Sequence, residues 1–173
     1  MIPNHRMKFT TSWDDGPMLD LRLAELLRHY DVTGTFYVCP TPQPHCEELL
    51  SRSDLRTLAA GKHEVGAHTM THARLARLSP ETAQKEIMES KAWVENATGK
   101  SCTMFCYPYG DHNASVRQLV MEAGFSGART CADFTFASND PFLLGTSLQV
   151  YPFPLRPILS RRMFEPLLRC HPK

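Results

Sequence analysis

The chain has 173 residues, a formal net charge of +1 and 42% hydrophobic residues, which fits one domain with a real core rather than a string of small modules. Near-neutrality removes the electrostatic case for nucleic acid or an acidic membrane surface, and no apolar run approaches the roughly 20 residues that a membrane-spanning helix needs. The opening Met1-Ile2-Pro3-Asn4-His5-Arg6 lacks the apolar centre of a secretory signal, so a cytoplasmic protein is expected.

The first predicted strand, 7–13, delivers Asp14 and Asp15 to a Gly16-Pro17 turn. Neighbouring strand residues face opposite sides, so the two carboxylates cannot do the same job until the turn reorients them. One can hold a metal while the other acts as a base. Leu19, Leu23, Leu26, Leu27 and Tyr30 then recur at helical spacing, and a strand over 34–39 follows. Ser53 and Asp54 open a short helix through Leu58 that closes near Gly61, ahead of a strand over 63–67.

His68-Thr69-Met70-Thr71-His72 comes next. On one helical turn, imidazoles four residues apart lie on the same face and reach one ion. Asp15 or Asp14 would complete a three-ligand shell, leaving a position open for water. Ser79 caps a helix with Pro80 at its first position, and Ala83, Ile87, Ser90, Val94 and Ala97 form its inner face before Gly99 ends it. A strand over 102–107 leads into Tyr107-Pro108-Tyr109-Gly110, where a fixed backbone N–H can stabilise an oxyanion. Asn113 caps a further helix that turns Val116, Leu119, Val120 and Ala123 inward and stops at Gly124.

Strands over 125–130 and near 146–151 flank a loop from Cys131 to Pro141, and the chain is Pro-punctuated from Tyr151 to Pro157. Phe134, Phe136, Phe142, Tyr151 and Phe153 are read as core rather than as a sugar-stacking groove. Cys39, Cys46, Cys102, Cys106, Cys131 and Cys170 contain no CxxC pair and are read as reduced, mostly buried thiols. Four residues apart on one strand, Cys102 and Cys106 would lie about 13 Å apart, beyond the roughly 7 Å between alpha carbons that a disulfide allows. Strands alternating with helices encode a parallel α/β sheet or barrel, in which chemistry gathers at the carboxyl ends of strands. Asp14, Asp15, His68, His72 and Tyr109 all sit at or just after such ends.

Together with Gly34-Thr35-Phe36-Tyr37-Val38 as the second strand, these segments resemble the polysaccharide deacetylases, the NodB-homology family of carbohydrate esterases, from near Phe9 to about Thr130. The resemblance implies an α/β fold, a distorted and incomplete (β/α) barrel, forming a single catalytic domain over 1–173 that is short at its C-terminal end. It implies Asp14 as general base, with Asp15, His68 and His72 as metal ligands. The backbone of Tyr109 would serve the oxyanion, and Pro108, Tyr109 and Gly110 would border the substrate. The implied cofactor is a divalent metal, zinc first, with cobalt, manganese and nickel equally suited to such ligands. The implied reaction is removal of an N-acetyl or other acyl group from an amino sugar or saccharide, by attack of metal-bound water.

Two departures from the family stand out. Many members place an arginine beside the base, and Cys106 stands at that position, so tuning of Asp14 must come from elsewhere or differ. The family also ends a late leucine-rich strand on a histidine that protonates the leaving amine. Pro166 to His171 matches it imperfectly and reads as a helix end or tail, which makes His171, His112 or a proton recycled on Asp14 the candidate donors. Alternative readings are a weak or inactive carbohydrate-binding protein on the same scaffold and a small-amide or ureide hydrolase. An incomplete barrel would also leave apolar surface that a second copy could cover, so a homo-oligomer is among the expectations.

Overall fold

The computed structural model describes residues 10–147 apart from 45, 47, 136 and 137. Within it β1 (Thr11–Asp15), β2 (Gly34–Val38), β3 (Glu64–Ala67), β4 (Met104–Cys106), β5 (Gly127–Asp133) and β6 (Leu144–Thr146) form one six-stranded sheet in sequential order, every pairing parallel. Four helices connect strands: α1 (Leu19–His29), α2 (Arg52–Ala60), α3 (Pro80–Thr98) and α4 (Ala114–Glu122). A sheet that adds each strand on the same side curls, and here it makes a half-barrel with its helices packed against it.

The helix ends are set by local chemistry. Ser79 Oγ accepts from the Thr82 N–H, Pro80 occupies the first turn, and Gly99 closes α3 at a φ of 71°. Ala83, Ile87, Ser90, Val94 and Ala97 are all buried, as the spacing predicts. Asn113 Oδ1 accepts from Val116 N–H at 2.9 Å to start α4. α2 begins one residue before the predicted Ser53, because Ser51 is extended and forms a capping box with Asp54.

Three sequence expectations shift. β1 runs through Asp14 and Asp15 instead of ending before them, and the expected start at 7 lies outside the described residues. β5 extends to Asp133, into the stretch read as loop, because β6 pairs with it from Arg129↔Leu144 to Asp133↔Thr146. β6 therefore lies at 144–146, earlier than the expected 146–151. In α1 the apolar stripe is only half used: Ala24 is buried and Leu23 and Leu27 pack on the core, while Leu19, Leu26 and Tyr30 are exposed.

The core lies between sheet and helices, around Phe36, Leu55, Leu75, Ile87, Val94, Phe105, Tyr107 and Val120. Gly66 is needed where β3 passes the Tyr37 ring. A Cβ there would meet Tyr37 Cδ1 at 2.5 Å and the Met104 carbonyl at 2.9 Å. Cys39, Cys46, Cys102 and Cys106 are buried thiols outside any disulfide, as expected, whereas Cys131 is an exposed thiol.

Candidate active site

β1 ends at a left-handed residue, Asp15 at a φ of 74°, and Gly16 just after it is left-handed too, at 72°. This turn splits the aspartate pair, as alternation along a strand requires. Asp15 Oδ1 lies 3.3 Å from His72 Nε2 and 3.7 Å from His68 Nε2. Asp14 Oδ2 instead takes a hydrogen bond from the Arg129 guanidinium.

The two histidines do not share a helix. Residues 68–72 form a loop leaving β3, with Thr69 at a φ of 63° and His72 at 56°. The four-residue spacing did mark a pair that meets, with rings 4.8 Å apart, but a strained loop brings them together rather than a helical turn. His68 Nδ1 is 2.8 Å from the Cys106 carbonyl oxygen. A carbonyl can only accept, so Nδ1 carries the hydrogen and Nε2 presents its lone pair towards Asp15. Burial lowers the pKa of His68, which favours the neutral form that binds metals.

The ligand atoms of Asp15, His68 and His72 all lie within 4.8 Å of one another, a donor set that suits a divalent cation of the zinc type. Asp14, His68 and Cys106 form a second group at the same separation. That group fits a metal poorly. Burial pushes the Cys106 thiol far above its ordinary pKa, so it does not offer a thiolate, and Asp14 is engaged by Arg129.

Arg129 answers the question posed by Cys106 and is the residue that sequence reasoning missed. Cys106 pairs with Arg129 across β4 and β5, so the guanidinium absent from one strand comes from its neighbour. Its other arm donates to Thr146 Oγ1 at 3.2 Å on β6. An arginine on a buried strand was the available signal; strand register was needed to use it.

Tyr109 adopts a φ of 59° within the short 3-10 turn Pro108–Gly110. Its ring lies 4.6 Å from that of His72, and the Arg74 guanidinium stacks 3.8 Å from its centroid. The turn's own hydrogen bonds are donated by the Gly110 N–H to Tyr107 and the Asp111 N–H to Pro108, not by Tyr109. Pro108 is buried beneath it, and Gly110 fits tightly, since a Cβ would meet the Cys131 nitrogen at 3.0 Å. Asp111 Oδ2 accepts from the Ala76 N–H at 3.1 Å, tying this turn to the segment after the histidine loop.

His112 is exposed, with Nδ1 2.8 Å from the Gly110 carbonyl and its ring beside Tyr107. His171 lies outside the described residues, as do Phe136, Tyr151 and Phe153. Phe142 packs against the core as expected, whereas Phe134 is exposed. Asp20 was not anticipated. It is only 4% exposed, and its Oδ2 has no hydrogen-bond partner among the described residues. Burial, then the charges of Asp14 and Asp15, raise its pKa to about 7.

Fold and site together define a class: a parallel half-barrel with a two-histidine, one-carboxylate group that could hold a metal at its strand ends, next to a second, arginine-paired carboxylate. The chain belongs to the polysaccharide deacetylase family, whose pattern matches residues 3–128. It is 29% identical over 126 residues to the peptidoglycan-N-acetylglucosamine deacetylase of Bacillus cereus, covering 72% of this chain and 56% of that protein. It is 31% identical over 123 residues to the peptidoglycan-N-acetylmuramic acid deacetylase PdaC of Bacillus subtilis, covering 69% of this chain and 25% of that protein. The chain thus spans about half of one curated relative and a quarter of the other. The Streptococcus pyogenes deacetylase PplD, solved with acetate, superposes with a TM-score of 0.73 at 19% identity over 88% of this chain and 68% of that one, which supports the fold. No helix among the described residues is long and apolar enough to cross a membrane.

Proposed function

We propose that this chain hydrolyses the N-acyl amide of an amino sugar, with an N-acetylated saccharide as substrate. One observation carries the reading: Asp15, His68 and His72 converge beside Asp14, whose carboxylate is held by Arg129. Relatives named for deacetylating peptidoglycan amino sugars point to the same substrate class. A divalent cation, zinc first among those that suit the donors, would supply Lewis acidity and a more acidic water at this site.

The chain's own residues do the rest. Asp15 and the Nε2 atoms of His68 and His72 would hold the ion. Asp14 accepts a proton from the attacking water, and Arg129 supplies its countercharge and aims it. The Tyr109 N–H is the donor for the oxyanion that develops on the acyl oxygen. As the carbon–nitrogen bond breaks, the proton on Asp14 passes to the leaving amine, giving the carboxylic acid, which still bears the water's other proton, and the free amine. His171 is the second candidate for that last transfer. A reducing, cytoplasmic setting suits the described free thiols.

Acetate release from N-acetylglucosamine oligomers by zinc-loaded protein tests the reading. Asp14→Asn is expected to lower kcat by about 100-fold or more while zinc still binds. Zinc binding with no release from oligomers or small amides would leave a saccharide-binding protein on this scaffold. Failure to bind zinc or cobalt would remove the site itself.

A further inference from the structure

The loop that carries both candidate ligands is held from outside. Glu86, on α3, takes three hydrogen bonds from it: Oε2 accepts from the Met70 and Thr71 N–H groups, each at 2.9 Å, and Oε1 accepts from Thr71 Oγ1 at 2.9 Å. From the other side the Met70 carbonyl accepts from Thr41 Oγ1 at 2.7 Å and faces Cys39 Sγ at 3.4 Å. The peptide units at the centre of the loop are therefore pinned at both N–H and C=O. Thr69 and His72, which flank them, are the loop's left-handed residues, a conformation in which the Cβ of a non-glycine residue crowds the following carbonyl oxygen. Thr69 is β-branched, so for it that shape is a genuine outlier, and neither position is glycine.

We infer that Glu86 is a positioning residue that imposes the geometry of the His68–His72 pair by clamping the loop between them. A carboxylate suits this role because an ionised acceptor binds backbone N–H groups more strongly than a neutral one. α3 suits it as a mount, being the longest helix among the described residues, capped at both ends and anchored in the core by Ile87, the residue after Glu86. The inference rests on the metal reading only for its consequence. The clamp itself is a property of the loop.

Two readouts on the full chain separate these. Amide hydrogen exchange at Met70 and Thr71 reports the clamp without any metal, and Glu86→Ala is expected to speed it about tenfold or more. Titration with Co2+, followed by its visible spectrum, reports the ligand geometry. Glu86→Ala is expected to weaken Co2+ binding about 10- to 100-fold and alter the spectrum, as loss of an outer partner does. Glu86→Gln, whose oxygen can still accept both N–H groups while its amide donates to Thr71, should fall between wild type and alanine in both.

Val120→Ala, which opens a cavity under α4, serves as the control for lost stability and should leave exchange in the loop and the Co2+ spectrum unchanged. If Glu86→Ala does not fold, Glu86→Gln combined with Thr71→Val carries the test. Unchanged exchange at Met70 and Thr71, or Co2+ affinity and spectrum equal to wild type in Glu86→Ala, overturns the inference. Absence of Co2+ binding in wild type refutes the metal reading, and exchange alone then decides the clamp.

Discussion

Asp14 and Arg129 form a pair whose halves differ in kind. Asp14 touches the reacting water in the proposed chemistry; Arg129 acts through Asp14. Arg129→Met should therefore lower kcat by about 100-fold while the Kd for Co2+ stays within experimental error of wild type. A large loss of metal affinity in that variant would show that the pair is structural. Arg129→Lys should recover part of the rate, because it restores the charge without the fork of donors.

Asp20 makes a different prediction at the same scale. Its folded pKa of about 7 lies above the ordinary 3.8, so the folded protein binds the extra proton between those values. Stability contributed by this group is thus greatest near pH 4 and falls as pH rises to about 7, by up to roughly 4 kcal/mol. Asp20→Asn copies the neutral acid. In metal-free protein its melting temperature should match wild type near pH 4 and exceed it at pH 8. A constant difference across that range would refute the linkage.

Elements were legible in the sequence where local chemistry decides them and obscure where pairing across the sheet does. Ser79, Pro80 and Gly99 mark α3, and Asn113 marks α4, with no knowledge of the rest of the chain. β5 and β6 were misplaced because their extent depends on each other, through Arg129↔Leu144 and Asp133↔Thr146. The convergence of Asp15, His68 and His72 was legible because spacing and strand ends agree, yet the helical turn invoked for the two histidines is a loop. Arg129 was hidden by register, and Asp20 by an apolar stripe, although it is in phase with Ala24 and Leu27 on the inner side of α1. Gly66 offers a test at this scale. Gly66→Ala sets a methyl group against the Tyr37 ring and the Met104 carbonyl and should cost about 1–3 kcal/mol in denaturant unfolding. No loss would mean that β2 and β3 can part there without strain.

For the whole molecule, the sequential sheet places β1 and β5 at positions one and five of the order, yet Asp14 and Arg129 meet. Only a curled sheet allows that, so the ion pair is a chord drawn across the open side of the half-barrel. The family pattern ends at residue 128, one residue short of Arg129. The matched segment thus holds the proposed ligands and the proposed base, while the arginine that pairs with that base lies just beyond it. On the proposed reading, a graft of residues 3–128 onto the C-terminal part of a relative would carry the three proposed ligands together and leave Asp14 dependent on whatever cation the new partner strand provides. Modular exchange in this scaffold would then transmit metal affinity faithfully and turnover only conditionally.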